Sequence, residues 1–206
     1  MKARPVAALL GLLALLLLLP ARPALAQNAV TFYGGYAWGG SFDQQTGNTT
    51  GSANLAGSFT GAASIDWALD AARNVQLYAS GQRTTLQLAG STPSSVDMGL
   101  YYVHLGGSNF FEGRAGQGAY VAGGLGATVM SPSSAGLGSE VRPSASLAIG
   151  YEHALSPSLA VRAELRGYLT LINSSGGIFC SGGCVVTLSG DALVQGAALV
   201  GLSLRF

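Results

Sequence analysis

The chain has 206 residues, 31 of them glycine; only 9% are charged, and the formal net charge is +1 at neutral pH. Glycine is at about twice, and charge at about a third of, the share usual in soluble domains, and no basic run offers a nucleic-acid surface. Past the N-terminal segment, no apolar stretch reaches the roughly 18 residues of a membrane-spanning helix.

The first element in chain order, "MKARPVAALLGLLALLLLLPARPALAQ", has the layout of a secretory signal. Lys2 and Arg4 supply a positive start, Val6 to Leu19 an apolar core, and Ala24-Leu25-Ala26 a small-x-small cleavage site before Gln27. The core would be a helix of about 21 Å, short of the ~30 Å hydrocarbon layer, so export is expected rather than anchoring. Residues 1–26 are therefore expected to be removed, leaving 27–206 as one domain. The segment takes Lys2, Arg4 and Arg22 with it; seven arginines then face nine acids, a net charge of −2.

Period-two alternation places eight strands in the mature chain: Val30–Trp38, Leu55–Leu69, Val75–Leu88, Val96–Leu105, Gly118–Met130, Glu140–His153, Leu159–Leu171 and Val194–Phe206. The seventh shows the pattern most cleanly. Leu159, Val161, Ala163, Leu165, Gly167, Leu169 and Leu171 alternate with Ala160, Arg162, Glu164, Arg166, Tyr168 and Thr170. A helix would scatter those charges around its circumference, whereas a strand lines them up on one face. Most segments have room for the ~9–11 residues with which a tilted strand crosses a bilayer.

The connections differ in kind. "GGSFDQQTGNTTGS", "AGSTPSS", "SPSSAGLG" and "NSSGGIFCSGGCVVTLSGD" are long or polar, whereas "DAARN" and "LSPSL" are tight turns. "GSNFFEGRAGQG" is longer than a tight turn requires. Long connections alternating with short ones describe an up-and-down barrel with loops at one end and turns at the other. A secreted β-sandwich also has short alternating strands, but its outward face would be polar. Here the apolar residues fill one face and the charges converge on the other.

The terminal "ALVGLSLRF" fits that barrel. In hydrocarbon every backbone group needs a partner, so the last strand must close on the first. Phe206 is expected at the periplasmic interface with Trp67 and Tyr151, and Trp38 at the outer one, since amphipathic rings favour that depth. The final "GLSLRF", with Leu202, Leu204 and Phe206 on one face, resembles the C-terminal signature of bacterial outer-membrane barrels. With the leader and eight strands, the mature chain resembles the small OmpA/OmpX-type family in pattern throughout its length. "GYEHALSPSLAVRAELRGYL" is similar to that family's short-turn hairpin. The resemblance implies an all-β, eight-stranded antiparallel transmembrane barrel in the bacterial outer membrane, with its loops at the cell surface. It further implies recognition of Leu202, Leu204 and Phe206 by the barrel-assembly machinery, and contact with outer-membrane lipids and lipopolysaccharide.

Candidate chemistry is sparse. Glu152 and Arg162 flank the "ALSPSL" turn at even separation and share a face; Glu164 and Arg166 are next along the chain, and Asp66 and Asp97 are expected to point inward with them. This set reads either as a charged constriction or as ion pairs that fill a narrow bore; the second is expected, because an eight-stranded barrel is just wide enough for side chains. Cys180 and Cys184, spaced C-x3-C in the last loop, read as a local disulfide in an oxidising compartment rather than half a metal site. His104 and His153 are the only histidines, so a lipid-modifying enzyme of the membrane would have to use one. No serine elbow or phosphate loop accompanies them, and neither cofactor nor catalytic or metal site is expected.

The expectation is a monomeric barrel with a structural or interactive role carried by loops Gly39–Ser52 and Asn173–Asp191, since a rigid scaffold holds its loops out for binding. A narrow channel for small or apolar solutes is the alternative.

Overall fold

The computed structural model describes residues 28–46, 49–88, 95–112, 114–133, 138–172, 187–189 and 192–206. Residues 1–26, with the expected leader, and Cys180 and Cys184 lie outside the described residues. The strands are β1 (Ala29–Trp38), β2 (Ser41–Thr46), β3 (Thr49–Leu55), β4 (Ser58–Ala68), β5 (Arg73–Leu88), β6 (Ser95–Phe110), β7 (Gly118–Pro132), β8 (Glu140–Ser156), β9 (Leu159–Leu171), β10 (Thr187–Ser189) and β11 (Ala192–Arg205).

Eight of them, β1, β4, β5, β6, β7, β8, β9 and β11, pair antiparallel with their neighbours in chain order. The circle closes where β1 meets β11, from Ala29 opposite Arg205 to Trp38 opposite Gly196. Phe206 N–H donates to Asn28 O at 3.0 Å, so pairing runs on past the end of the last strand.

The register measures the stagger of that closure. From Gly34 it runs through Gly61, Gly81, Tyr101 and Val129 to Val141 on β8. In the other direction it runs through Val200 and Ala163 to Tyr151, ten residues further along the same strand. A closed sheet with such a shear must tilt its strands, and at eight strands its bore admits side chains and little else.

Alternation then sorts the residues. On β9, Arg162, Glu164, Arg166, Tyr168 and Thr170 are buried, while Leu165, Leu169 and Leu171 face out. On β11, Gln195, Ala197, Leu199 and Ser203 turn inward, while Val194, Val200, Leu202 and Leu204 are exposed. The molecule is therefore inverted relative to a soluble domain, with polar groups inside and Phe32, Leu105, Leu125, Leu147 and Ile149 outside.

Two connections differ from their sequence reading. The stretch Gly39–Ser52, expected as a loop, contains β2 and most of β3, a hairpin that carries the wall beyond the barrel. β3 pairs onto the far end of β5, and β10 pairs with β2. Gly39 and Gly40, both at positive φ, make the bend between β1 and β2.

The connection between β6 and β7 is not an idle loop. Ala115 N–H donates to Ala71 O at 2.6 Å, and Arg205 Nη2 donates to Gly116 O at 2.7 Å. The segment is thereby fastened to the turn before β5 and to the end of β11, across the turn-side mouth. Gly116 stands at φ +87, with the Arg205 guanidinium 3.2 Å from where a Cβ would be, so this position requires glycine.

Candidate functional site

The described interior is filled in tiers. At the turn end lies a small apolar cluster of Phe110, Tyr120, Ala122 and Ala148, with Ala115 of the fastened segment against it.

Above it is an ion network. Arg162 donates through Nε to Glu152 at 2.6 Å, and through Nη1 to Asp66 at 2.9 Å and the Tyr33 hydroxyl at 3.2 Å. Asp66 also accepts from Ser64 at 3.0 Å and Gln76 at 2.8 Å. Arg205 approaches Glu152 from the rim at 3.1 Å. Arg166 donates to Glu164 at 2.7 Å, to Ser146 at 3.0 Å and to Gln76 at 3.1 Å, and lies 3.8 Å from the centre of the Tyr78 ring. Tyr120 completes Glu164 by donating to it at 2.8 Å.

Three carboxylates thus meet three guanidinium groups, and the network is neutral. Buried charge is tolerated when it is paired and its remaining hydrogen-bonding capacity is used. Gln76 does this for both halves, donating to Asp66 and accepting from Arg166.

The next tier is aromatic. Tyr102 stacks on Tyr168 with centroids 4.2 Å apart, and the Tyr78 and Tyr168 hydroxyls are 2.7 Å apart. Gln82 donates to Gln195 at 3.0 Å, Tyr102 also donates to Gln195, and Gln195 donates to Gly39 O at 3.1 Å. At the loop end the lining becomes apolar, with Leu55, Leu86, Met98, Leu100, Met130, Ile172 and Leu193 buried in one cluster.

Of the residues expected in the lumen, Asp66, Glu152, Arg162, Glu164 and Arg166 come together in this network. Asp97 does not, and its inward placement is corrected: it is exposed on the outer face, where Thr85 Oγ1 donates to it at 3.2 Å. On β6, Val96, Met98, Leu100, Tyr102 and His104 take the inward positions. Asp97 alternates with them, and a single step along a strand reverses the face.

The histidines separate in the same way. His153 is exposed on the outside. His104 is buried, with Nε2 2.8 Å from Ser144 Oγ. A serine beside an imidazole is the minimum of a nucleophilic pair. Here it lies inside the bore beneath the aromatic tier, with no carboxylate hydrogen-bonded to Nδ1 among the described residues. Nor does any group of three His, Cys, Asp or Glu that could hold a metal occur among them.

No family model matches the chain, and no curated protein matches it. Solved structures do. Neisserial surface protein A aligns at a TM-score of 0.56 and 14% identity, covering 87% of this chain and 97% of its own. OprG from Pseudomonas aeruginosa aligns at 0.54 and 12%, covering 88% and 97%. The outer membrane protein AlkL, determined in lipid bilayers, aligns at 0.54 and 13%, covering 91% and 95%.

The fold is that of the small outer-membrane barrels. At these identities the likeness is one of fold, and the lumen of this chain has to be read from its own residues. The aromatics expected at the membrane interfaces stand outside: Trp38, Tyr151 and Phe206 are exposed, and Trp67 is half-buried on the outward parity of β4. Leu202 and Leu204 share that outer face with Phe206. Sequence reasoning set Tyr168 on the charged face but missed the other inward tyrosines and glutamines that complete the filling with it, Tyr33, Tyr78, Tyr102, Tyr120, Gln76 and Gln82. The alternation that revealed Arg162 carries the same information for each of them.

Proposed function

We propose that this protein is an outer-membrane barrel whose bore is closed and whose role is structural or interactive, carried by the strands and loops beyond the apolar belt. The observation that supports this reading is the set of contacts that cross the lumen. Arg162 joins β9 to β4, Tyr168 reaches Tyr78 and Tyr102, and Gln195 reaches Gln82. A solute on the axis would have to break these in succession. Each break would leave buried polar or charged groups without partners.

The fold and the outward apolar surface favour insertion in a bacterial outer membrane, with the loop end at the cell surface and the barrel acting as a monomer. On this reading the annular partners are outer-membrane lipids and lipopolysaccharide. Leu202, Leu204 and Phe206 serve as the signal to the assembly machinery, and the Cys180–Cys184 bridge tightens the last loop.

Conductance of the refolded protein in a planar bilayer tests the proposal, once heat-modifiable gel mobility shows the barrel formed. A silent bilayer is expected. Discrete steps altered by Arg162→Ala or Glu164→Gln would overturn the closed bore and establish a narrow channel in its place.

A further inference from the structure

On the outer face of β1, β4, β5 and β6, where the apolar belt ends, lies an open hollow of about 800 Å³ lined by Tyr36, Phe59, Gly81, Arg83 and Tyr101. Tyr36 and Phe59 pack edge to face at 5.7 Å and form one wall; Tyr101 forms the other. Below it, towards the turns, runs a shallow apolar groove over Gly61, Ala63 and Ala79, flanked by Tyr101 and Val103. Register explains its form, because Gly61 pairs with Gly81 and Ala63 with Ala79, so β4 and β5 raise nothing larger than a methyl there; the Tyr101 ring lies over Gly81, and the space over Gly61 is open. The outward residues of β5 are Val75, Leu77, Ala79 and Gly81, and then Arg83. The guanidinium therefore sits at the upper edge of the apolar surface.

Among the described residues no carboxylate forms an ion pair with it. Arg73 pairs with Asp70, Arg142 with Glu140, Arg162 with Asp66 and Glu152, Arg166 with Glu164 and Arg205 with Glu152. Among the described arginines, Arg83 and Arg114 carry no ion pair, and Arg114 belongs to the segment at the opposite end. Asp97 lines the next hollow along with Arg83, further from the belt, and is hydrogen-bonded to Thr85. An arginine at the edge of a bilayer's hydrocarbon extends to the headgroup level, and its fork of donors matches a phosphate.

We infer that this face holds one phosphorylated lipid of the surrounding leaflet. Its phosphate is bound by Arg83, and an acyl chain lies in the groove over Gly61, Ala63 and Ala79. The inference rests on the outer-membrane reading above and adds a specific occupant to it. Charge complementarity selects an anionic lipid. The aromatic walls suit the junction of headgroup and chain, where such rings are favoured.

Native mass spectrometry of the refolded protein from zwitterionic micelles is the test, with bis-phosphorylated lipid A and the same lipid stripped of phosphate as probes. The wild type is expected to retain one phosphorylated molecule. Arg83→Gln is expected to weaken retention by about tenfold, the loss of one charge-assisted contact, and the stripped lipid should be held as poorly. Gly61→Leu, where a Cβ meets nothing within 4 Å, fills the groove without disturbing the wall and should also reduce retention. Equal retention by Arg83→Gln, or of the stripped lipid, would overturn the headgroup site. Unchanged retention by Gly61→Leu would overturn the chain groove. Failure of the folded barrel to insert into bilayers would instead overturn the membrane reading itself.

Discussion

Arg162 and Asp66 lie 96 residues apart in sequence and 2.9 Å apart in the lumen, both almost fully buried, with Glu152 on the other side of the guanidinium. Their separation is bridged by the closure of the sheet, since the short way round the wall from β9 to β4 runs through β11 and β1 and crosses the seam between them. The pair thus reports whether the circle has formed.

Arg162→Ala should therefore destabilise the barrel by about 3–5 kcal/mol, because it leaves Asp66 buried without its counter-charge and Glu152 with Arg205 alone. Urea unfolding in micelles, followed by the heat-modifiable gel shift, measures this. An unfolding midpoint equal to that of the wild type would show that the pairing contributes no stability.

Tyr168→Ala removes the ring stacked on Tyr102 and the hydroxyl shared with Tyr78 and Ser80. A loss of about 3–5 kcal/mol is expected, in the range for buried aromatics truncated to alanine. Tyr168→Phe keeps the stack and should lose only about 0.5–1.5 kcal/mol for the hydrogen bonding. Similar losses from the two variants would place the stability in the hydroxyl and not in the ring.

Two glycines on the wall should behave oppositely. A Cβ at Gly150 would stand 2.5 Å from Tyr120 Cζ and 2.8 Å from Ala163 O, whereas one at Gly61 meets nothing within 4 Å. Gly150→Ala is expected to cost about 1–3 kcal/mol through overpacking, and Gly61→Ala to stay within about 0.5 kcal/mol of the wild type. Equal unfolding midpoints for the two would contradict the packing of Tyr120 against β8.

The turn before β5 is closed by Asp70, which accepts from the Ala72 and Arg73 amides at 2.9 and 2.8 Å and from Arg73 Nε at 2.6 Å. The Arg73 side chain foremost, then the Ala72 amide, holds the Asp70 carboxyl below its ordinary range. A carboxylate whose pKa is lower folded than unfolded stabilises the fold above the unfolded value, and that stability is lost as pH falls through the folded one. Below about pH 4, the unfolding midpoint of Asp70→Asn should accordingly change less with pH than that of the wild type. Parallel curves would remove Asp70 as a contributor.

Period two along single strands was enough to reveal the fold. Leu159 to Leu171 separates an apolar face from a charged one with no reference to any other part of the chain, and the eight segments are all strands of the closed wall. The same rule would have turned Asp97 outward had it been applied from Met98 and Leu100, two apolar residues that point into the bore near the loop end. The assumption that charge belongs inside and apolar groups outside failed there. The lumen changes from ionic to apolar along its axis, and no single strand shows that gradient. The segment 111–117 likewise read only as overlong, because its purpose depends on Ala71 and Arg205, which are distant in sequence.

The sequence by itself determined the alternation, and with it the strands and the side of the wall on which most residues stand, because a strand's two faces follow from backbone geometry alone. Only the tertiary structure decided which inward residues meet. That depends on the ten-residue stagger with which the circle closes, a property of all eight strands together: it sets Arg162 against Asp66 and stacks Tyr102 on Tyr168.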